Sequence, residues 1–211
     1  MAYTIASVNP KGGTGKTTVA VHLAVAAHRN ERPATLLDAD PQGSALDWYR
    51  RTPGGYSGPE VQRFGRDRTL AAAIGQTKSE VVVIDSPARL DEKTGRVLSN
   101  SDLALVPVRP SGLDLWGTAE FLDVLHEHTD QGLEAAFVGT QRDVRTSLSG
   151  ELDEALSELG LPLLDGLTLR VSYARSMSEG KTVLDGSDTT AANEVETLYA
   201  DIEELLIEEL L

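Results

Sequence analysis

The sequence predicts an α/β fold in which a mostly parallel sheet carries helices on both faces. Short apolar runs bounded by turn residues alternate with helical stretches, as they do in successive βαβ units. The runs are almost continuously apolar, which strands require when both faces of their sheet are covered. A glycine-rich turn joins the first run directly to a long helical stretch. Because the chain has 211 residues, 40% of them apolar, we expect a full core and a single domain over residues 1–211.

The individual elements follow from the apolar runs and the turn residues between them. The predicted strands are Tyr3–Val8, Ala34–Asp38, Val81–Asp85, Leu103–Val108, Ala135–Thr140 and Leu167–Val171. Helical spacing of apolar residues predicts a helix over Thr17–His28 and a last helix over Asn193–Leu211 that packs on the body. Residues 51–65 are rich in proline and glycine, so they predict a loop after a short helix.

The composition excludes several classes of protein. The chain has no cysteine, which excludes disulfides and cysteine-ligated iron–sulfur clusters. No apolar run reaches about eighteen residues, and no basic or apolar leader precedes the first strand, so we expect neither a transmembrane helix nor a secretory signal. From Asp185 onward there is no lysine or arginine, whereas a membrane-surface helix would carry basic residues. A cytoplasmic protein that does not bind a membrane is expected.

The charge balance is strongly acidic. The chain has 33 Asp and Glu against 19 Lys and Arg, which gives a net charge of −14 at pH 7. Nucleic acid and anionic membranes normally repel such a surface. The composition is typical of proteins from salt-loving organisms, and an ordinary acidic bacterial protein is the alternative.

The most informative stretch is Asn9-Pro10-Lys11-Gly12-Gly13-Thr14-Gly15-Lys16-Thr17-Thr18, between a predicted strand and a predicted helix. Its glycines let backbone N–H groups curl around an anion, and the helix dipole adds about half a positive charge. Lys16 would reach the terminal phosphates of a nucleotide, and the Thr17 hydroxyl would bind Mg²⁺. The other predicted nucleotide contacts are Lys11, Gly12, Gly13, Thr14, Gly15 and Thr18. The alternative is a turn that only joins strand to helix.

The loop departs from the usual phosphate-loop pattern, because Pro10 stands where its first glycine belongs and Lys11 precedes Gly12. The string K-G-G-x-G-K-T-T resembles the ParA/MinD family of deviant Walker A ATPases and is most similar to small ParA-type partition ATPases. The resemblance implies a P-loop NTPase fold, ATP or ADP with Mg²⁺, slow partner-stimulated hydrolysis and a homodimer in the ATP state. It also implies that Lys11 reaches the phosphates bound by the other subunit.

Carboxylates stand at the ends of two predicted strands. Asp38 and Asp40 lie in the string D-A-D-P-Q-G, and Asp85 ends the run V-V-V-I-D. The carboxyl ends of parallel strands meet at the edge where phosphates would lie. By resemblance, Asp40 would hold the attacking water, Asp38 would support the Mg²⁺ shell, and Asp85 would hold Mg²⁺ through a water. Lys11, Lys16 and Asp40 are therefore the predicted catalytic residues. The alternative for each carboxylate is a turn or a helix cap.

Recognition of the base rests on the resemblance alone. The family commonly has an asparagine near the end of the sixth strand, and this chain has Thr140 there. Adenine is thus implied by the family and not by a residue of this chain. In the same stretch, Arg142 is the predicted nucleotide contact.

A second group of basic residues could meet nucleic acid. The segment 170–183 resembles the region of ParA-type proteins that helps to hold nonspecific DNA, and it carries Arg170, Arg175 and Lys181. Arg145 lies upstream and is a further candidate. A local basic cluster can bind DNA despite an acidic total, because nonspecific binding is a phosphate-charge effect. The alternative is that these side chains pair with neighbouring carboxylates.

These patterns predict an ATP-dependent dimeric switch for DNA partition, in which hydrolysis resets dimerisation and DNA binding. The implied partners are a second copy of the chain, nonspecific DNA and a centromere-binding protein of ParB type, with a nucleoid location in the ATP state. No helix-turn-helix precedes the first strand, so operator-specific binding is not expected. The alternatives are a MinD-like or protein-cluster positioning ATPase, an ATP-dependent biosynthetic enzyme with the same loop, and a nucleotide-binding adaptor without hydrolysis. Trp48 and Trp116 are expected to be packing residues.

Overall fold

The computed structural model describes residues 2–64, 69–110, 119–143 and 148–208. In these residues one sheet contains seven strands, and all neighbouring strands are parallel. The strands are β1 (Tyr3–Ser7), β2 (Ala34–Asp38), β3 (Glu60–Arg63), β4 (Val81–Asp85), β5 (Leu103–Val108), β6 (Glu134–Arg142) and β7 (Leu163–Thr168). Their order is β3-β2-β4-β1-β5-β6-β7, so β1 lies at the centre. The predicted α/β fold with a parallel sheet is confirmed.

The helices of the described residues cover both faces of the sheet. They are α1 (Lys16–Arg29), α2 (Ser44–Tyr49), α3 (Leu70–Gly75), α4 (Glu92–Leu98), α5 (Ala119–Thr129), α6 (Leu148–Ser157), α7 (Val171–Ser178) and α8 (Thr189–Glu208), with a 3-10 turn at Val183–Asp185. One apolar cluster joins the sheet to α1 and α8 and contains Ile5. The other joins the sheet to α4 and α5 and contains Ala6. Since successive strand residues point to opposite faces, the two clusters lie on opposite sides.

The edge strand β3 lies inside the stretch that was predicted as a loop, so that part of the prediction is wrong. Its sequence E-V-Q-R has a single apolar residue, Val61, and none of its side chains is fully buried. It is a strand because it pairs with β2, from Thr35 opposite Glu60 to Asp38 opposite Arg63. Backbone pairing at a sheet edge leaves little hydrophobic pattern to detect.

β7 begins at Leu163 and ends at Thr168, whereas the sequence predicted a strand over 167–171. Leu169 and Val171, which made that run look like a strand, are 61% and 82% exposed. Gly166 breaks the apolar pattern by which β7 could have been predicted, yet this glycine is what lets β7 approach β6. A Cβ at that position would collide with the backbone of Gly139.

The last helix, α8, starts at Thr189, a little before the predicted Asn193, and it packs on the sheet as expected. Val195, Leu198 and Ile202 are at most 1% exposed and face the cluster shared with α1. Within the described ranges, no helix has both the length and the apolar composition needed to cross a bilayer.

His22 is a buried polar residue on α1. The N–H of Val183 donates to its Nε2 at 3.2 Å, so the Nδ1 must carry the proton that is donated to the Thr18 carbonyl at 2.7 Å. This pattern requires a neutral ring, and burial lowers the pKa of His22 to about 4. The side chain therefore ties α1 to the 3-10 turn.

We expect acid to destabilise the protein through His22. Its pKa is about 4 in the folded chain and about 6.5 in an unfolded one, so the unfolded state takes up the proton first. The contribution of this group to the free energy of unfolding is fully present above about pH 6.5 and falls by about 2–3 kcal/mol by about pH 4.5. Denaturant titrations of the wild type and of His22→Gln, at neutral pH and near pH 4.5, measure that loss.

The informative quantity is the loss of unfolding free energy between neutral pH and pH 4.5, compared between the wild type and His22→Gln. Asp85 acts in the opposite direction, because burial raises its pKa to about 7 and its protonation favours the folded chain as the pH falls. His22→Gln keeps Asp85 and removes only the imidazole. Equal acid losses in both proteins would exclude His22 as the acid-sensitive group.

Candidate active site

The loop between β1 and α1 forms around two glycines with left-handed backbone. Gly13 and Gly15 have φ of 77° and 94°, which a side chain rarely permits. Gly15 is the N-cap of α1, so the N–H groups of the first helical turn point toward the loop. The ammonium of Lys16 lies in this loop and donates to the Lys11 carbonyl at 2.8 Å. Burial lowers the pKa of Lys16, against the opposing effect of the nearby Asp85 and Asp40 carboxylates.

Residues at the ends of β5 and β6 hold the loop in place. Asn9 donates from Nδ2 to the Pro107 carbonyl at 2.9 Å and accepts the Lys11 N–H at 2.9 Å. The Thr140 hydroxyl lies 2.7 Å from the Thr14 carbonyl, to which it donates. Gln141 donates from Nε2 to the Gly13 carbonyl at 3.0 Å. The loop is therefore fixed at several points before any nucleotide binds.

These supports were not predicted from the sequence. Thr140 was considered only as a replacement for a base-reading asparagine, and the structure instead buries it against the loop at 2% exposure. Arg109 was not considered, although its guanidinium Nη1 lies 3.7 Å from where a Cβ of Gly13 would stand. The available signal was a polar residue at the end of an apolar run, as Thr140 is, or directly after one, as Arg109 is, because such positions mark the edge where parallel strands end.

Asp85 and Asp38 lie side by side at that edge, since they are direct register partners on β4 and β2. The Thr17 hydroxyl donates to Asp85 Oδ2 at 2.8 Å. Asp85 is 1% exposed, and its Oδ1 has no hydrogen-bond partner among the described residues. Burial, more than the Asp38 and Asp40 carboxylates, raises the pKa of Asp85 to about 7.

This oxygen set fits Mg²⁺. A buried carboxylate oxygen without a partner is costly, and a hydrated divalent cation would satisfy it. Thr17 and Asp85 would hold the ion, and Asp38, which lies beside Asp85, would support the water molecules around it. When bound, Mg²⁺ would neutralise phosphate charge at this edge of the sheet. The predicted magnesium ligands thus lie together, although their metal role remains a prediction.

Asp38 and Asp40 also shape the chain that follows β2. Asp38 is fully buried, and its two oxygens accept the N–H groups of Asp40 at 3.1 Å and Leu46 at 3.0 Å. Because Leu46 lies in the first turn of α2, Asp38 caps this helix although it is not the residue that precedes it. Burial raises the pKa of Asp38. Asp40 is half-buried and accepts the Gln42 N–H at 2.9 Å. The capping and turn roles that the sequence left as alternatives are present, and they place Asp40 near Lys16.

A cavity of about 330 Å³ adjoins the loop on the side of β6 and β7. Its lining consists of Gly15, Thr18, Thr140, Gln141, Leu167, Thr168, Leu169, Arg170, Tyr173 and Ala174. Gly15 and Thr18 belong to the phosphate-binding stretch, so a nucleotide with its phosphates in the loop would extend its nucleoside into this cavity.

The structure does not bring Arg142 into this cavity. Its Nη2 pairs with Asp153 of α6 at 2.6 Å, and its aliphatic part lies over Gly139. Its role as a nucleotide contact remains a prediction without geometric support. Among the tryptophans, Trp48 is 2% exposed and donates from Nε1 to the Lys181 carbonyl at 3.0 Å, as a packing residue would. Trp116 lies outside the described residues.

The cations predicted to bind DNA meet carboxylates. Arg170 lies 3.2 Å from Glu194 and 3.6 Å from Asp188. Arg175 and Lys181 both pair with Glu179, at 3.3 and 3.7 Å. Arg145 lies outside the described residues. For the described candidates, the alternative of pairing with neighbouring acids matches the geometry.

A glycine-rich loop with a buried lysine, at the start of a helix and beside two strand-end aspartates, defines a nucleotide-binding protein of the P-loop class. Residues 5–183 match the CobQ/CobB/MinD/ParA nucleotide binding domain, and the chain belongs to this family. It is a ParA/MinD-type ATPase, as its loop predicted.

Named relatives match almost the whole chain. Maintenance of carboxysome distribution protein A of Halothiobacillus neapolitanus is 29% identical over 95% of this chain and 96% of that protein. The protein of that name from Gloeobacter kilaueensis is 32% identical over 96% and 93%. Chromosome-partitioning ATPase Soj of Thermus thermophilus is 27% identical over 88% and 89%.

A solved structure supports the fold. The septum site-determining protein MinD of Pyrococcus horikoshii, complexed with Mg-ADP, has a TM-score of 0.79 and 20% identity over 98% of each chain. The predicted ligands, ATP or ADP with Mg²⁺, agree with the complex in which that protein was solved.

Proposed function

We propose that this protein is an ATP-dependent dimeric switch that positions a protein assembly in the cell, and that hydrolysis returns it to the monomer. The observation that carries the proposal is the near full-length match to two proteins named for maintaining carboxysome distribution. The match to Soj covers less of either chain. The sequence first suggested DNA partition, and the comparisons favour its alternative, a positioning ATPase for a protein cluster.

Electrostatics supports a protein cargo. The chain has a net charge of −14, and the described cations of the segment 170–183 are paired with Glu179, Asp188 or Glu194. Binding to a plasmid by phosphate contacts would require these pairs to break, which reduces the gain from each contact.

Dimerisation would couple ATP to this activity. Members of the ParA family dimerise with nucleotide. Here Lys16 already supplies an ammonium to its own loop, so we infer that Lys11 serves the phosphates of a second copy. Nucleotide binding and dimerisation would then be one linked equilibrium.

DNA partition with nonspecific DNA and a ParB-type protein is the second candidate. The Soj match favours it, as does a surface cavity of about 440 Å³ lined by Arg175 and Lys181. The Arg175 side chain is 78% exposed despite its pairing with Glu179. A nucleoid location in the ATP state would follow from this surface.

Deleting the gene in its source organism separates the two candidates. We expect a fluorescently tagged protein that the ATP-bound form captures from its source cells to collapse from spaced foci into clusters, while inheritance of plasmids and chromosome markers stays normal. Complementation with the wild type should restore the spacing, and Lys16→Ala should not. Raised marker loss with unchanged foci would replace this proposal with DNA partition.

A further inference from the structure

We propose that Glu194 of α8 is the positioning residue for the nucleoside half of the site. Its carboxylate holds the corner between β7 and α7, and that corner forms one wall of the cavity beside the phosphate loop. The inference rests on nucleotide binding by this loop and adds the group that sets affinity for the nucleoside. Glu194 was not predicted from the sequence, because it lies in the last helix, far along the chain from the loop.

Several donors converge on this single carboxylate. Thr168 donates its N–H to Oε2 at 3.0 Å and its hydroxyl to Oε1 at 2.5 Å. Tyr173 donates its hydroxyl to Oε2 at 2.8 Å, and Arg170 donates from Nε to Oε1 at 3.2 Å. Every one of these donors belongs to a residue that lines the cavity. Glu194 does not line the cavity itself, but it fixes the relative positions of Thr168, Arg170 and Tyr173, which do.

The chemistry requires a carboxylate at this position. Each oxygen accepts from two donors, and neither the backbone N–H of Thr168 nor the guanidinium of Arg170 can accept in return. A glutamine would place an NH₂ group against one of these donors, whichever way the amide is turned. Either the Thr168 N–H or the Arg170 guanidinium would then face a donor in place of its acceptor, and the corner would shift.

Tyr173 connects this corner to the helix that carries the phosphate loop. Burial, followed by the hydrogen bond to Glu194, raises the pKa of Tyr173, so the phenol stays protonated and donates. Its ring meets His22 of α1 edge-on, with centroids 5.3 Å apart. A displaced corner would therefore change the width of the cavity between Tyr173 and Thr18.

Glu194 acts on one half of the ligand only. Its described hydrogen bonds reach β7 and α7, whereas the predicted phosphate and metal groups Lys16, Thr17 and Asp85 belong to α1 and β4. Removing the Glu194 charge should weaken the binding of a nucleotide and leave the binding of its bare phosphates unchanged. A residue that merely stabilises the fold would weaken both.

The test compares Mg-ADP with Mg-pyrophosphate by isothermal titration calorimetry, because neither ligand requires hydrolysis. We expect Glu194→Gln to raise the Kd for ADP about tenfold, as the loss of one charged hydrogen bond would. The Kd for pyrophosphate should stay within about twofold of the wild type. Glu196→Gln is the matched control, since Glu196 lies on the same helix and meets Asn30 at 3.4 Å; it should change neither constant.

The other outcomes are decisive as well. Equal weakening of both ligands, or no change for ADP, overturns the role of Glu194. If wild-type protein binds ADP no better than pyrophosphate, the cavity is not a nucleoside site and this inference fails while the phosphate loop stands. If it binds neither ligand, the proposed function itself fails. Should Glu194→Gln not fold, Tyr173→Phe removes one of the same donors and should weaken only ADP, by about threefold.

Discussion

Replacing Lys11 with alanine should abolish the ATP-dependent dimer while ADP still binds the monomer. The backbone N–H of Lys11 donates to Asn9 and its carbonyl accepts from Lys16, and alanine keeps both of these contacts. The lost ammonium would leave phosphate charge at the interface without its partner. Removing one partner of such a charge pair weakens the dimer Kd by about 30-fold or more.

Size-exclusion chromatography with light scattering gives the answer directly. The wild type should elute at 22.6 kDa with Mg-ADP and at twice that mass with Mg-ATP, and Lys11→Ala should stay at 22.6 kDa with both. Lys78→Ala is the control. Lys78 precedes the amino end of β4, whereas the loop lies at the carboxyl ends of the strands, so this variant should dimerise normally. If Lys11→Ala dimerises normally, Lys11 does not act on the nucleotide of the other subunit. If Lys11→Ala no longer binds ADP, Lys11 acts on the nucleotide bound by its own subunit.

Replacing Asp40 with alanine should stop hydrolysis and trap the ATP-bound dimer. Asp40 is half-buried beside the phosphate loop and contributes to the electrostatic environment of Lys16. A carboxylate that holds the attacking water contributes about 100-fold or more to the rate. We therefore expect the ATPase rate to fall by at least this factor while the dimer persists in Mg-ATP.

The turn that Asp40 forms must be separated from its chemistry. Asp40→Asn keeps the acceptor for the Gln42 N–H and removes only the charge. If both variants are inactive, the carboxylate acts in the reaction; if Asp40→Asn hydrolyses ATP normally, Asp40 is a turn residue. Asp47→Asn, on the exposed face of α2 where Asp47 pairs with Arg50, should hydrolyse ATP at the wild-type rate.

The phosphate loop was predictable because its chemistry is contiguous in the chain. A strand, a turn with Gly13 and Gly15, and a helix beginning at Lys16 follow one another, so spacing alone places the lysine at the helix N-terminus. Asp38 and Asp85 were predictable for a related reason. Both end apolar runs, and parallel strands bring their carboxyl ends to one edge whatever their order in the sheet.

The sequence could not place groups whose partners lie far away. Thr140 donates to a carbonyl 126 positions earlier, and Glu194 accepts from Thr168 across the space between a strand and a helix. The exposed edge strand β3 was missed because backbone pairing, and not a hydrophobic pattern, makes it a strand.

The sequence by itself therefore determined the α/β fold, the family and the place of the glycine-rich loop, because each depends on short-range order along the chain. The tertiary structure decided the rest. It turned Thr140 into a support of the loop and directed Arg142 toward Asp153. It also enclosed Arg170 among carboxylates and placed Glu194 behind one wall of the cavity beside the glycine-rich loop. The physical reason is that a polar side chain acts through the groups that packing brings to it, and these come from elements remote in sequence.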